Sequence, residues 1–247
     1  MKSKSEFVVV IPARYQSTRL PGKPLLLLSG IPMVVRTYMQ CILAVPPKLV
    51  FVATDDLRIK AVCEERGIQV VMTSAECKTG TDRVAEVSRC IGADFYINVQ
   101  GDEPIFNPSD LTQLIIAAKK HPGEVINGYC EIDSESIYRS ASVPKAVLRP
   151  DGRLLYMSRS PIPADKSHSF IKSNRQVCAY SFPNEALMAF SSSNAKTPLE
   201  EIEDIEILRF LELGWDVRMI PMSNQSIAVD NPEDVDRVED VLRGLSS

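Results

Sequence analysis

The first 120 residues alternate between short apolar runs rich in β-branched residues and longer segments with apolar residues at helical spacing. Strands are predicted at residues 7–11, 49–53, 69–72 and 95–99. Helical segments are predicted between them and after them, at 31–43, 56–67, 82–90 and 110–120. Such alternation is typical of a mostly parallel sheet with helices on both faces. The sequence therefore predicts an α/β fold of Rossmann-like type.

The pattern changes after residue 124. Residues 125–185 combine three predicted strands with irregular segments rich in Pro and Ser, so we expect a mixed α+β excursion that serves as a lid, a dimerisation surface or both. An acidic helix from Leu199 to Leu213 and a final helix at 232–243 then return the chain to the core. The predicted organisation is a core at 1–124, the excursion at 125–185 and the return to the core at 186–247.

Composition limits the class of partner. A net charge of −4 argues against a nucleic-acid or acidic-membrane partner, because such proteins carry a basic surface. No apolar stretch approaches the roughly 20 residues that span a bilayer, and no apolar signal core follows the polar start, so we expect a cytoplasmic protein. The 6 cysteines lack CxxC spacing, which predicts buried free thiols rather than zinc ligands or disulfides.

A basic, turn-rich loop follows the first predicted strand. It carries three cations, Arg14, Arg19 and Lys23, and the hydroxyls of Ser17 and Thr18. Ligands of α/β sheets bind beyond the carboxyl ends of the strands, where this loop would lie. Arg can grip two phosphate oxygens at once, and Lys acts as a compact charge. The loop therefore predicts a site for phosphate groups.

Two aspartates follow other apolar segments and are candidate magnesium ligands. Asp102 comes after the strand at 95–99, and Asp230 lies between an apolar segment and a predicted helix. Carboxylates at such positions can hold Mg²⁺ against phosphate oxygens. Taken alone, each is also a common turn former or helix N-cap, and both interpretations remain open at this point.

Five motifs together identify a family resemblance. The basic loop reads IPARYQSTRLPGKPL at 11–25, and the others are VATDD at 52–56, GTDR at 80–83, NVQGDEP at 98–104 and VDNPED at 229–234. The chain resembles the 3-deoxy-manno-octulosonate cytidylyltransferases, also called CMP-Kdo synthetases, over nearly its whole length. The resemblance implies a nucleotidyltransferase that uses CTP, Mg²⁺ and an acidic sugar, and that forms a homodimer.

Triphosphate chemistry and this resemblance together assign roles to the motif residues. The predicted catalytic residues are Arg14, Lys23 and Asp102, and the predicted metal ligands are Asp102 and Asp230. The predicted nucleotide contacts are Ala13, Arg14, Arg19, Lys23, Thr54, Asp55, Thr73, Gly80, Thr81, Arg83 and Gln100. The turn at 80–83 is expected to enter a helix with Thr81 or Asp82 as its cap. The anomeric hydroxyl of a 3-deoxy-2-ulosonic acid would attack the α-phosphorus of CTP.

The region expected to bind the acceptor sugar departs from the family pattern. The family strand reads close to RHLGIYGY, whereas this chain has Gln176 in place of the histidine and Phe182 in place of a tyrosine, and Glu201 replaces the histidine of PLEHIE. A pocket built to bond a hydroxyl rejects analogues strongly, so the preferred acid need not be Kdo. The predicted substrate contacts are Gln100, Gln176, Tyr180, Glu203 and Glu206.

Two alternatives stay open at this point. The nearer is a cytidylyltransferase for an amino-substituted Kdo or a sialic-type nonulosonate, although the sialic enzymes more often read close to GGSKxxPxKN in the loop. The further is a non-catalytic nucleotide-binding protein on the same fold, against which the intact cations and carboxylates argue. His121 and His168 match no motif and are predicted to lie at the surface.

Overall fold

The computed structural model describes residues 5–16, 20–192 and 195–245. Arg19, Ser17 and Thr18 lie outside the described residues. The strands are β1 (Ser5–Pro12), β2 (Leu27–Leu28), β3 (Ile31–Pro32), β4 (Val50–Thr54), β5 (Gln69–Met72), β6 (Ala93–Val99), β7 (Val125–Glu131), β8 (Lys145–Leu148), β9 (Leu154–Ser158), β10 (Asn174–Pro183) and β11 (Val217–Pro221). The helices are α1 (Met33–Ala44), α2 (Leu57–Glu64), α3 (Gly80–Cys90), α4 (Pro108–Lys120), α5 (Glu135–Arg139), α6 (Asn184–Phe190), α7 (Pro198–Glu203), α8 (Ile207–Glu212) and α9 (Pro232–Leu245).

The first compact unit comprises the described residues up to 112 and those from 225 onward. Its four principal strands pair in the order β6–β1–β4–β5, and every pairing is parallel. The central strand β1 is buried from Val8 to Pro12, as its apolar run predicts. Helices α1, α2 and α3 pack against these strands. The parallel order brings the carboxyl ends of β1, β4 and β6 to one edge of the sheet.

Helix α9 belongs to the same unit. Its apolar face joins a buried cluster made of Leu28, Met33, Val229, Val238 and Leu242. The turn before the helix is fixed by Asp234, whose Oδ2 accepts hydrogen bonds from the backbone N–H of Asp230 at 3.1 Å and of Asn231 at 3.0 Å. This packing holds the backbone of Val229 and Asp230 in a defined position.

The second compact unit comprises residues 113–224, of which 193 and 194 are not described. Strand β7 pairs parallel with β11 and antiparallel with β10, and β8 pairs antiparallel with β10 and β9. The register of β10 against β7 shifts between Val177 and Tyr180, which is a β-bulge. The prediction of an α/β fold with a mostly parallel central sheet is confirmed.

Three local predictions are wrong. The acidic segment is two helices, α7 and α8, because Asp204 adopts a left-handed conformation with φ of 50° and ends the first. Helix α3 begins earlier than expected: its N-cap is Thr79, whose hydroxyl and backbone N–H form a capping box with Asp82, and Thr81 lies inside the helix. Strand β9 and helix α5 form where irregular structure was expected.

The cysteines and histidines complete this comparison. All six cysteines are free thiols, but only Cys41, Cys63 and Cys130 are buried as predicted, whereas Cys77 and Cys178 are half-buried and Cys90 is exposed. His168 is exposed, and His121 is half-buried. Within the described ranges, no helix has the length and apolar character needed to cross a membrane.

Candidate active site

The carboxyl end of β1 begins the candidate site. Ala13 is buried, and its backbone N–H donates to the carbonyl oxygen of Ala53 at 2.8 Å, which ties the start of the loop to β4. The next residue, Arg14, is exposed, so its guanidinium is accessible to a ligand.

Lys23 joins the basic loop to two distant segments of the chain. Its Nζ donates to Asp102 Oδ2 at 2.6 Å, to Asp230 Oδ1 at 3.2 Å and to the carbonyl oxygen of Val229 at 2.9 Å. The backbone N–H of Val229 in turn donates to the carbonyl oxygen of Asp102 at 2.9 Å. Three residues predicted from separate motifs therefore meet at one ammonium group.

The electrostatics of this cluster favour the charged lysine. Burial alone would lower the pKa of Lys23, but the charges and hydrogen bonds of Asp102 and Asp230 outweigh it and raise the pKa above its ordinary value. The lysine side chain is 15% exposed, and those of Asp102 and Asp230 are 27% and 42% exposed. The cluster is thus a charged group with its carboxylates open to a ligand from solvent.

Two glycines allow the neighbouring backbone segments to approach this cluster closely. A Cβ on Gly80, the first residue of α3, would lie 2.8 Å from Nε2 of Gln100 and 3.2 Å from Cγ of Pro12. A Cβ on Gly101 would lie 2.7 Å from the carbonyl oxygen of Pro12. At Gly101 a larger residue would displace the backbone of Pro12, whereas at Gly80 it would displace the flexible end of the Gln100 side chain. The structure therefore brings the ends of β1 and β6 together with the start of α3.

Arg83 organises the nucleotide contacts predicted on the β4 side. Its guanidinium is buried, with Nη1 donating to Thr73 Oγ1 at 2.7 Å and to the carbonyl oxygen of Ser74 at 3.2 Å. Its Nη2 lies 3.2 Å from Asp55 Oδ2. The backbone of Thr73 is bonded to that of Thr54 at 2.8 Å. Arg83 thus supports the loop through internal bonds, and direct contact with a nucleotide stays a prediction.

The donor set around Lys23 fits a magnesium ion. Oxygens of Asp102 and Asp230 already converge on one cation, the lysine ammonium, and hard oxygen donors are the ligands that Mg²⁺ prefers. No group of three or more His, Cys, Asp or Glu suited to a metal occurs among the described residues. Mg²⁺ at this position would therefore take its other ligands from phosphate oxygens and water, as is usual for this ion.

Gln176 and Tyr180, two predicted substrate contacts, lie in the second unit. Both are buried on β10. The side-chain amide nitrogen of Gln176 donates to Tyr180 OH at 3.2 Å and to Asn127 Oδ1 at 3.1 Å. Sequence reasoning did not find Asn127, because an amide within the run Val125–Glu131 carries no motif.

Glu203, another predicted substrate contact, is engaged by its own unit. Its carboxylate accepts hydrogen bonds from Tyr156 OH at 3.1 Å, Ser158 Oγ at 2.6 Å and the backbone N–H of Arg159 at 2.8 Å. Burial opposes ionisation, but these bonds outweigh it and lower the pKa of Glu203. The carboxylate therefore fixes the end of β9. Glu206 is the N-cap of α8, whereas Glu203 is the last residue of α7, so the two glutamates do not share one helix face.

Replacing Glu203 by glutamine should destabilise the protein by about 1–2 kcal/mol near pH 7, because three donors then share one neutral acceptor. The folded-state pKa lies below the ordinary value of 4.5, so the carboxylate stabilises the fold above that pH and loses this effect as pH falls through the folded-state pKa. Urea unfolding at about pH 7 and about pH 3.5 measures the difference. Glu201→Gln, at an exposed position of α7, is the control. If wild type and Glu203→Gln differ in free energy of unfolding by the same amount at both pH values, the carboxylate of Glu203 does not stabilise the fold through its charge.

Comparison with known proteins identifies related cytidylyltransferases. A family model described as cytidylyltransferase matches residues 8–220. A 3-deoxy-manno-octulosonate cytidylyltransferase of Myxococcus xanthus is 40% identical over 243 residues, which is 96% of this chain and 96% of that protein. An 8-amino-3,8-dideoxy-manno-octulosonate cytidylyltransferase of Shewanella halifaxensis is 36% identical over 235 residues, covering 92% of this chain and 94% of that protein.

A solved structure extends the agreement to three dimensions. The structure of CMP:2-keto-3-deoxy-manno-octonic acid synthetase complexed with CTP matches with a TM-score of 0.91 and 33% identity, covering 98% of this chain and 100% of that one. Sequence and fold thus point the same way over almost the full length. The chain belongs to the family of 3-deoxy-manno-octulosonate cytidylyltransferases and is a nucleotidyltransferase.

Proposed function

We propose that the protein transfers CMP from CTP to the anomeric hydroxyl of a 3-deoxy-2-ulosonic acid, with Mg²⁺ as cofactor and pyrophosphate as the second product. The observation that supports this best is the cluster in which Lys23 Nζ bonds both Asp102 and Asp230. It combines a phosphate-binding cation with two metal-binding carboxylates. The names of the relatives and the CTP in the solved neighbour support the choice of substrates.

The reaction is a displacement at phosphorus. The bond between the anomeric oxygen and the α-phosphorus forms, and the bond from that phosphorus to the oxygen bridging to the β-phosphorus breaks. Pyrophosphate leaves with the electrons of that bond, and the hydroxyl proton passes to solvent water. Both substrates are anionic, so their charge must be neutralised while they are held in line. Arg14 and Lys23 would bind the triphosphate. Because the sugar hydroxyl attacks phosphorus directly, no side chain forms a covalent intermediate.

Asp102 and Asp230 would hold the magnesium ion. When bound, Mg²⁺ neutralises phosphate charge and makes a bound hydroxyl more acidic. The remaining predicted nucleotide contacts, from Ala13 to Gln100, belong to this proposal, as do Gln100, Gln176, Tyr180, Glu203 and Glu206 for the sugar. A homodimer formed through residues 125–185 also stays a proposal, as does a lid function for that segment.

Replacing Lys23 by methionine tests the proposal. We expect kcat/KM for pyrophosphate release from CTP and Kdo to fall about a hundredfold, since a cation on the triphosphate is lost. Lys60→Met removes a lysine of α2 that pairs with Glu64, and it should leave turnover unchanged. Calorimetric titration with CTP, run beside the assay, reports whether the loss lies in nucleotide binding.

Two results would contradict the proposed function. Wild-type protein that binds CTP but releases no pyrophosphate with Kdo, its 8-amino analogue or sialic-type nonulosonates would favour a non-catalytic nucleotide-binding protein. Full turnover by Lys23→Met would remove the lysine from the catalytic group while leaving the reaction class in place.

A further inference from the structure

The β-bulge in β10 frees backbone carbonyl groups from the regular pairing with β7. The register passes from Val177 opposite Gly128 to Tyr180 opposite Asn127, so two residues of β10 have no partner on β7. The side chain of Asn127 binds this bulge: its Nδ2 donates to the carbonyl oxygens of Val177 at 2.9 Å and Ala179 at 3.0 Å. Bulges commonly re-aim a side chain next to a functional site.

These two bonds fix which way the Asn127 amide points. Backbone carbonyls only accept hydrogen bonds, so the nitrogen of Asn127 must face them and its Oδ1 must face the other way. That oxygen then needs a donor, which is Nε2 of Gln176 at 3.1 Å. The reverse orientation of Gln176 would set its Oε1 against Oδ1 of the fully buried Asn127, with two acceptors facing each other. The carbonyl groups of the bulge therefore fix the amide of Asn127, and Asn127 in turn fixes which end of the Gln176 amide faces it.

The consequence is that Gln176 turns its carbonyl oxygen away from the network. Its nitrogen is used by Asn127 and Tyr180, and Oε1 accepts no hydrogen bond from the described residues. Among the described residues, some side-chain polar atoms are both sealed from solvent and without a hydrogen-bond partner. Ser181 Oγ is one of these atoms in this unit, but Gln176 Oε1 is not. The oxygen is thus the polar end of this buried side chain that remains open to a ligand.

We propose that Gln176 determines acceptor specificity by presenting a hydrogen-bond acceptor, with Asn127 as its positioning residue, and that the preferred acid carries a protonated amine facing it. The inference rests on the proposed function, which assigns β10 to the sugar site. A protonated amine only donates, and a charged donor makes a stronger bond to a carbonyl oxygen than a hydroxyl does. Polar groups placed for one partner discriminate strongly against another.

The test compares Kdo with its 8-amino-3,8-dideoxy analogue as acceptors for wild type, Gln176→Met and Asn127→Ser. We expect wild type to show at least about a tenfold higher kcat/KM for the amine. Gln176→Met should lower this ratio about tenfold, mainly through KM for the amine. Asn127→Ser should lower it in the same direction, because the Gln176 amide can then rotate. Ser181→Ala, on the same strand, removes a buried hydroxyl and should leave the ratio unchanged.

The ratio separates specificity from folding, since a damaged fold lowers both activities together. If wild type prefers Kdo, or if the ratio is the same in wild type and Gln176→Met, the inference is wrong while the proposed function stands. If no acid gives pyrophosphate, the proposed function fails, and calorimetric titration of CTP-bound protein with both acids still tests the inference. Equal affinity of wild type for the two acids would then overturn it.

Discussion

Asp102→Asn should reduce magnesium-dependent pyrophosphate release by about a thousandfold, which corresponds to about 4 kcal/mol of lost transition-state stabilisation. The substitution keeps the size of the side chain but removes a charge that faces both Lys23 and the expected metal position. Measuring kcat/KM across a magnesium titration checks the result. We expect saturation to require more Mg²⁺ in addition to the lower rate.

The controls for this variant follow from the structure. Asp133→Asn removes an exposed carboxylate from the second unit and should leave both rate and magnesium dependence unchanged. Thermal unfolding of Asp102→Asn should remain cooperative, because Lys23 keeps its bonds to Asp230 and to the carbonyl oxygen of Val229. If Asp102→Asn releases pyrophosphate at the wild-type rate at the same magnesium concentration, Asp102 is not a metal ligand.

Arg209→Met should lower the free energy of unfolding by about 3–5 kcal/mol, the largest stability effect we expect. The guanidinium bonds Glu200 through Nε at 2.5 Å and Nη2 at 2.7 Å, and both residues are at most 2% exposed. Nη1 also donates to the carbonyl oxygen of Phe190 at 3.1 Å. Removing the arginine leaves a buried carboxylate without its cation, and urea unfolding measures the cost.

The double variant Glu200→Gln with Arg209→Met isolates the cause. It removes the buried charge as well as its partner, so we expect it to recover a substantial part of the lost stability. Lys60→Met breaks the half-exposed pair with Glu64 and should cost about 0.5 kcal/mol or less. A loss below about 1 kcal/mol for Arg209→Met would contradict the assignment of this pair as a buried support.

Sequence pattern was sufficient to predict the strands of the first unit and which segments meet at their carboxyl ends. Each apolar run predicts a strand, parallel strands end at one edge, and the residues that follow them must meet there. Lys23, Asp102 and Asp230 are therefore found together as expected, although Asp230 lies more than 100 residues from the other two in sequence. The resemblance to a known family supplied the chemical identity of the ligands.

The second unit was harder to predict because its key features depend on long-range pairing. The bulge in β10 and the bonds of Asn127 exist only once β7 and β10 are paired, so no local pattern indicates them. Asp204 ends α7 in a left-handed conformation that aspartate tolerates but does not require. Apolar residues continue at helical spacing on both sides of Asp204, which explains the prediction of one long helix.

The ion pairs of Lys23 have a thermodynamic consequence for the order in which ligands bind. The ammonium of Lys23 pairs with both carboxylates, so a metal ion that binds them must compete with the lysine. A triphosphate offers the ammonium another anionic partner, and this releases the carboxylates toward a cation. Metal and nucleotide should therefore show positive cooperativity, each raising the affinity of the other by the same factor.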